Sequence, residues 1–349
     1  IMYFTRVLFY VVALTIVVNT SFAQNIDNTT SRLDTLLNAV EVRPFNGVIL
    51  IKQQGKVLYE NAIGFADYDK KIPSKMENEF VLLSNSKQIT AVLILMAADD
   101  GLLQLENPIG QYLPTLSMPW ANVITVHQLL NHSSGLDAAD KPLLFEPGAS
   151  FKYADINYVL LGQIIESVRH QTYADIATAL FNKLGLKHTY VPNAYNQQNL
   201  IIGKKMIEGE LPQLIDSVII APHKIPAAGI VSTVSDLSTW VELLHTGEIL
   251  SDTIYQKLIH YNITAQHVAF GPQKIGYSCG LRIDDLNEPV YYGHTGTSPD
   301  QGFTSFTLWF PKSQTSVVVL ENCAYDNMDV NYYYEAQIRA IMTQSNWVK

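Results

Sequence analysis

Ser84-Asn85-Ser86-Lys87 and the apolar run behind it, Ile89 through Gly101, decide how this chain is read. The run reads as a buried helix that the tetrapeptide opens. A serine and a lysine three apart lie on one helical face, about one turn from each other. The amine can therefore approach the hydroxyl, and the N-terminal end of the helix favours a developing anion. Serine is a poor nucleophile until a base takes its proton, so such a pair could form an acyl-enzyme. The plainer reading is a serine N-cap followed by a surface lysine, because S-x-x-K occurs about once by chance in a chain of this length. The rest of the sequence decides between the two.

Two later segments favour the chemical reading. Phe151-Lys152-Tyr153-Ala154-Asp155 precedes the apolar run Ile156 to Ile165, and Tyr292-Gly293-His294-Thr295-Gly296-Thr297 ends a strand-like run. With Ser84 and Lys87 first, then Tyr153, then His294-Thr295-Gly296, the chain resembles the serine β-lactamase and penicillin-binding protein superfamily. Other branches of it carry S-x-x-K, S-D-N and K-T-G. The branch resembled is that of class C β-lactamases, D-alanyl-D-alanine carboxypeptidases and related esterases, whose middle motif begins with tyrosine. Three flanking phrases are similar to that family as well: Phe45-Asn46-Gly47-Val48, Leu129-Leu130-Asn131-His132-Ser133-Ser134-Gly135-Leu136 and Ala228-Gly229-Ile230-Val231-Ser232-Thr233.

Residues 1–23 read as a signal peptide. Arg6 precedes the uncharged, mostly apolar run Val7 to Val18, and Ser21-Phe22-Ala23 offers small residues for cleavage before Gln24. The run is shorter than the roughly 18 residues a membrane span needs. An exported protein, periplasmic or secreted, is expected, with one hydrolase domain over residues 24–349. A formal net charge of −9 without a basic stripe makes nucleic acid a poor partner. Apolar content of 48 % supports a large core, and only the Asn/Thr-rich segment 25–30 reads as disordered. Cys279 and Cys323 read as buried free thiols in strand-like runs. The nine histidines lack H-x-H or H-E-x-x-H pairing, and His127 and His132 are awkwardly spaced for a shared helical site. No metal or other cofactor is expected.

Ser31 reads as the cap of a first helix, followed by strands Gly47–Gln53 and Lys56–Gly64 joined at Gln54-Gly55. Residues 102–245 are mostly helical pattern broken by proline and glycine. Strand signals return at Gly276–Ile283, Val290–His294, Phe303–Phe310 and Ser316–Glu321, and a helix Val330–Met342 closes the chain. Strands at both ends around a helical middle predict an α+β fold with one mixed sheet built from distant segments. The resemblance implies an antiparallel five-stranded sheet flanked by helices. Sheet parts would span about 32–100 and 246–349, with an inserted helical lobe at about 101–245 and the site in the groove between.

By resemblance, Ser84 is the nucleophile and Lys87 with Tyr153 removes its proton. A lysine base needs a lowered pKa and a tyrosine base a nearby cation, so either group can be the formal base. The backbone amides of Ser84 and Thr297 would form the oxyanion hole. His294, where many relatives carry lysine, reads either as a strand-end residue with one structural hydrogen bond or as a relay to Tyr153 or a substrate contact. Thr295 and Gly296 complete that wall. His132-Ser133-Ser134 with Asp137 reads as a capped turn rather than a triad. No G-x-S-x-G elbow points to an α/β-hydrolase.

These features imply a serine hydrolase acting on a D-alanyl peptide or a related amide or ester. A class C-type β-lactamase, an esterase and a weakly catalytic penicillin- or peptidoglycan-binding protein stand as alternatives. Asp155 occupies a position where the family usually has asparagine. Ionised aspartate accepts from the lysine but has no N–H for an acylamino carbonyl, and it holds Lys87 charged. Acylated side-chain amides, most penicillins included, should be handled poorly, while simple esters or ligands with a free ammonium could be tolerated. Asp155→Asn is therefore expected to speed β-lactam acylation, measured with a fluorescent penicillin; an unchanged or slower rate counts against this account.

Overall fold

The computed structural model of the protein describes residues 28–193, 199–207, 210–215 and 220–349. The expected signal peptide lies outside the described residues. Two strands near the start of the chain, β1 (Gly47–Gln53) and β2 (Lys56–Ile63), join six from its last third. These are β3 (Ile263–Gln266), β4 (Lys274–Tyr277), β5 (Arg282–Asp284), β6 (Tyr291–Ser298), β7 (Phe303–Phe310) and β8 (Thr315–Glu321). They form one antiparallel sheet in the order β2-β1-β8-β7-β6-β5-β4-β3.

The sheet thus has eight strands, not the five expected. The stretch read as a single strand, Gly276–Ile283, folds back at Gly280, whose φ of +70° suits a glycine, and yields β4 and β5. With β3 they extend the sheet beyond the first half of β6, pairing Arg282 with Gly293. The Gln54-Gly55 turn has positive φ at both residues, 51° and 77°, the geometry that a two-residue hairpin needs.

Both faces of the sheet are covered, which is why its strands read as near-continuous apolar runs. Alternation assigns each side chain. Ile49, Ile51, Val317 and Val319 pack with Leu33 and Leu37 of α1 (Thr29–Asn38) and Ile338 and Ile341 of α7 (Tyr333–Gln344). Val48, Leu50, Val318 and Leu320 belong to the opposite core, shared with α2 (Ser86–Asp99), α3 (Asp155–Arg169), α4 (Tyr173–Leu184), α5 (Val234–His245) and α6 (Asp252–Ile259). Buried along most of its length, polar Ser86, Lys87, Gln88 and Thr90 included, α2 packs into that core. Thr29 and Thr30, in the segment read as disordered, begin α1. Helix α5, from the stretch read as the lobe, touches the sheet where Ser316 donates to Glu242 Oε1 at 3.1 Å. Cys279 and Cys323 are free and buried. Among the described residues no helix is long and apolar enough to cross a membrane.

A buried charge cluster ties β8 to α7. Arg43 donates to both Glu321 oxygens at 2.6 and 2.7 Å and to the carbonyls of Val330 and Asn331. Glu335 lies 3.7 Å from Arg43, and both its carboxyl oxygens are buried without a hydrogen-bond partner among the described residues. Burial first, and then the charge of Glu321, push the Glu335 carboxyl well above its ordinary 4.5. The folded protein therefore keeps a proton that the unfolded chain releases near pH 4.5, so this contribution to stability is complete below that pH and is lost as pH rises. Glu335→Gln removes the loss, which amounts to about 1.4 kcal/mol per pH unit over the window between the two pKa values. Melting temperatures from pH 5 to 8 should show the variant gaining on the parent as pH rises; parallel curves would contradict the assignment.

Candidate active site

Ser84 stands on a tight turn, Leu83–Asn85, that feeds directly into α2. Leu83 has a φ of +48°, a strained conformation for a side chain of its size. The surrounding bonds over-determine that turn. Asn85 donates to Ser305 Oγ at 2.7 Å and accepts from Gln88 and Thr307, Ser305 Oγ donates to the Leu82 carbonyl, and the Ile230 amide donates to Ser86 Oγ. The two middle residues of the S-N-S-K tetrapeptide thus clamp the Ser84 turn to β7 and to the segment at Ile230.

Lys87 is fully buried, its Nζ 3.0 Å from Ser84 Oγ, 2.7 Å from Asp155 Oδ1 and 2.9 Å from the Ala227 carbonyl. Burial acts to lower its pKa, but the charges of Tyr153 and Asp155 and the Asp155 hydrogen bond outweigh it, and the amine ends above its ordinary value. Lys87 is therefore an ammonium, with three acceptors for its three N–H groups. Nζ lies 4.8 Å from the centre of the Tyr153 ring. The structure brings Ser84, Lys87, Tyr153 and Asp155 together, although they come from a turn, two positions near the start of α3 and the helix between.

Ser84 and Tyr153 open on a cavity of about 470 Å³ that is also lined by Arg282, Thr295, Thr297 and Tyr332. Gly296 abuts the nucleophile turn: a Cβ there would sit 2.4 Å from the Leu82 carbonyl oxygen and 2.7 Å from the Ser84 nitrogen. Thr297 Oγ1 accepts from Asn331 at 3.1 Å. His267 Nδ1 accepts from the Ala269 amide, so its Nε2–H faces Thr295 Oγ1 at 3.2 Å, and the same threonine hydroxyl is hydrogen-bonded to the Tyr332 side chain. Burial, then Arg282, lowers His267 to about 3, and the ring is neutral.

His294 also lines the cavity, yet both its nitrogens are engaged elsewhere. Nδ1 is 2.6 Å from the Thr295 carbonyl, which only accepts, so the proton resides there and Nε2 accepts from the Tyr277 hydroxyl at 3.0 Å. Its ring lies 6.2 Å from that of Tyr153, with no hydrogen bond between them. Burial, then Arg282 and Lys87, hold His294 well below 6.5. The structural bond anticipated for this histidine is present; the relay to Tyr153 has no bond to run through.

Sequence reading missed two residues. Arg282, on β5, lines the cavity with only 4 % exposure, and its Nε and Nη1 have no hydrogen-bond partner among the described residues. Its electrostatic neighbours are the tyrosines 277, 153 and 332, with no carboxylate among them. A lone cation between Leu281 and Ile283 was the available signal. The second is His132, expected only as part of a capped turn. Its ring centre is 4.3 Å from that of Tyr153, and its Nδ1 accepts from Asn157, whose carbonyl oxygen accepts from Ser134. Asn157 is thus a buried brace for His132. Asp137 pairs with Lys141 and Lys152, away from that histidine. Among the described residues no cluster of three or more metal-ligating side chains occurs.

Gly296→Ala is expected to push β6 off the nucleophile turn and disturb the Ser84 amide. With the Ser84 amide as the expected oxyanion donor, whose loss costs about 10²–10³ in rate, acylation measured by active-site titration should fall by that order; a rate within threefold of the parent would contradict the expectation.

The family profile named Beta-lactamase matches residues 42–340. The Staphylococcus aureus (strain MW2) protein named Protein flp is 28 % identical over 306 residues, covering 78 % of this chain and 59 % of its own length. The chain thus spans about three fifths of that relative. Penicillin-binding protein 4* of Bacillus subtilis (strain 168) is 32 % identical over 194 residues, 48 % of this chain and 42 % of its own. The D-amino acid amidase of Ochrobactrum anthropi SV3, solved with L-phenylalanine amide, has the same fold at a TM-score of 0.76 and 22 % identity, covering 91 % of this chain and 97 % of that one. With the profile spanning most of the sequence and the fold shared, the chain belongs to the β-lactamase family, within the superfamily of serine β-lactamases and penicillin-binding proteins.

Proposed function

We propose that this protein is a serine hydrolase that works through an acyl-enzyme on Ser84, and that its substrate is an amide or ester whose leaving group carries a carboxylate, as in a peptide ending in D-alanyl-D-alanine. The observation that carries the substrate class is Arg282: a guanidinium taken out of water without a carboxylate partner is costly. A substrate carboxylate in the same cavity as Ser84 would complete it, with the Thr295 hydroxyl lining that cavity as well. Kinship with a penicillin-binding protein fits, since penicillin bears a carboxylate next to its acyl bond.

The Lys87 ammonium is a poor base, so removal of the Ser84 proton falls to Tyr153, whose ring centre lies 4.8 Å from Lys87 Nζ. Ser84 Oγ attacks the carbonyl carbon, and the backbone amides of Ser84 and Thr297 hold the resulting oxyanion. Collapse releases the leaving group, which takes the proton from Tyr153. A water then repeats the sequence in reverse, giving its proton to Tyr153 and freeing the acid. The leader-like segment before Gln24 supports export, which we include in the proposal.

The test compares release of the terminal residue from D-Ala-D-Ala with that from its C-terminal amide, in the parent, Arg282→Met and Ser84→Ala. A hydrogen bond to a charged group contributes about 1.5–3 kcal/mol, so the parent should favour the free acid by about 10- to 150-fold in kcat/KM. Arg282→Met should level the two, and Ser84→Ala should abolish both. Equal rates on the two substrates by the parent would sink the carboxylate assignment.

A further inference from the structure

The acyl side of the cleft carries a charge of the opposite sign, and its consequence rests on the acyl-enzyme reading of Ser84. We infer that Asp155 recognises a protonated α-amine on the residue acylated to Ser84, which makes the substrates N-terminally free aminoacyl compounds, short peptides above all, rather than N-acylated ones.

Three observations carry this. First, the Lys87–Asp155 pair is lopsided: the lysine side chain is 0 % exposed and the aspartate side chain 55 %. A group entering the cleft meets the carboxylate before the ammonium behind it. Second, only Asp155 Oδ1 is engaged by Lys87, and Oδ2 makes no hydrogen bond among the described residues. A carboxylate offers about four acceptor sites, so one oxygen remains available to a new donor. Third, the distances are short. Asp155 Oδ1 can be no further from Ser84 Oγ than the 3.0 Å and 2.7 Å legs through Lys87 Nζ laid end to end. In an aminoacyl ester of Ser84 the α-nitrogen is three bonds from Oγ, which brings it within reach of that carboxylate.

The chemistry discriminates. An α-ammonium has three N–H donors and a full positive charge, and both favour an acceptor-only carboxylate. An N-acyl derivative loses the charge and adds a carbonyl oxygen, an acceptor that the carboxylate repels. With Arg282 lining the Ser84 cavity and Asp155 exposed beside Lys87, the site offers a carboxylate to a cation and a guanidinium to an anion. A dipeptide with both termini free matches that polarity.

The experiment follows D-alanine release from D-Ala-D-Ala and from N-acetyl-D-Ala-D-Ala, with the parent, Asp155→Asn and Ser84→Ala. The parent should favour the free dipeptide by tenfold or more in kcat/KM, and Asp155→Asn should erase or reverse that preference. Because the readout is a ratio of two substrates on one protein, a general loss of active enzyme in the variant cancels. Ser84-dependent turnover of the acetylated dipeptide at least equal to the free one would overturn this inference and leave the acyl-enzyme standing. An unchanged ratio in Asp155→Asn would do the same. No turnover of either dipeptide, or turnover that survives Ser84→Ala, would bring down both.

Discussion

The structure around the site depends on the burial of one ammonium group. Removing Lys87 from water costs several kcal/mol unless its three N–H groups are met. The acceptors that meet them come from the nucleophile turn, from the first turn of α3 and from the Ala227 carbonyl. Three stretches remote in sequence must therefore stand where one cation needs them. The same contact bears on the proposed chemistry, because an ammonium held by a carboxylate serves as an electrostatic partner rather than as a base.

Around that cation the cleft is organised by charge and by fixed tautomers. Lys87 and Arg282 are the buried cations, while His132, His267 and His294 are all kept neutral, chiefly by burial. A neutral imidazole presents one donor and one acceptor in a defined direction. His294 uses both to join β6 to the Tyr277 hydroxyl, and His267 uses both to aim the Thr295 hydroxyl. Histidine here supplies orientation, and the two non-histidine cations supply field.

Much of the arrangement was legible in advance, where the signal was local. The S-x-x-K spacing places a lysine over a serine whatever surrounds the helix, and alternation assigns Ile49 and Val48 to opposite faces without knowledge of the partners. Ser84, Lys87, Tyr153 and Asp155 were all named from such stretches. The split into β4 and β5 was not legible, since the turn at Gly280 falls inside a run that reads as one continuous strand. Arg282 was passed over because a lone cation in a strand shows neither its burial nor the absence of a partner. His132 was taken for turn chemistry, although its ring is packed on Tyr153 through a brace, Asn157, that lies in another element.

By itself the sequence determined which side chains carry reactive or charged groups, the local periodicity that makes each segment helix or strand, and the substitution of a carboxylate for an amide at residue 155. Only the tertiary structure decided the protonation of Lys87, the pinned tautomers of the three histidines and the burial of Arg282 against aromatic rings with Nε and Nη1 unbonded. Those properties depend on desolvation and on neighbours brought from distant segments, and neither is encoded in the spacing of residues along the chain.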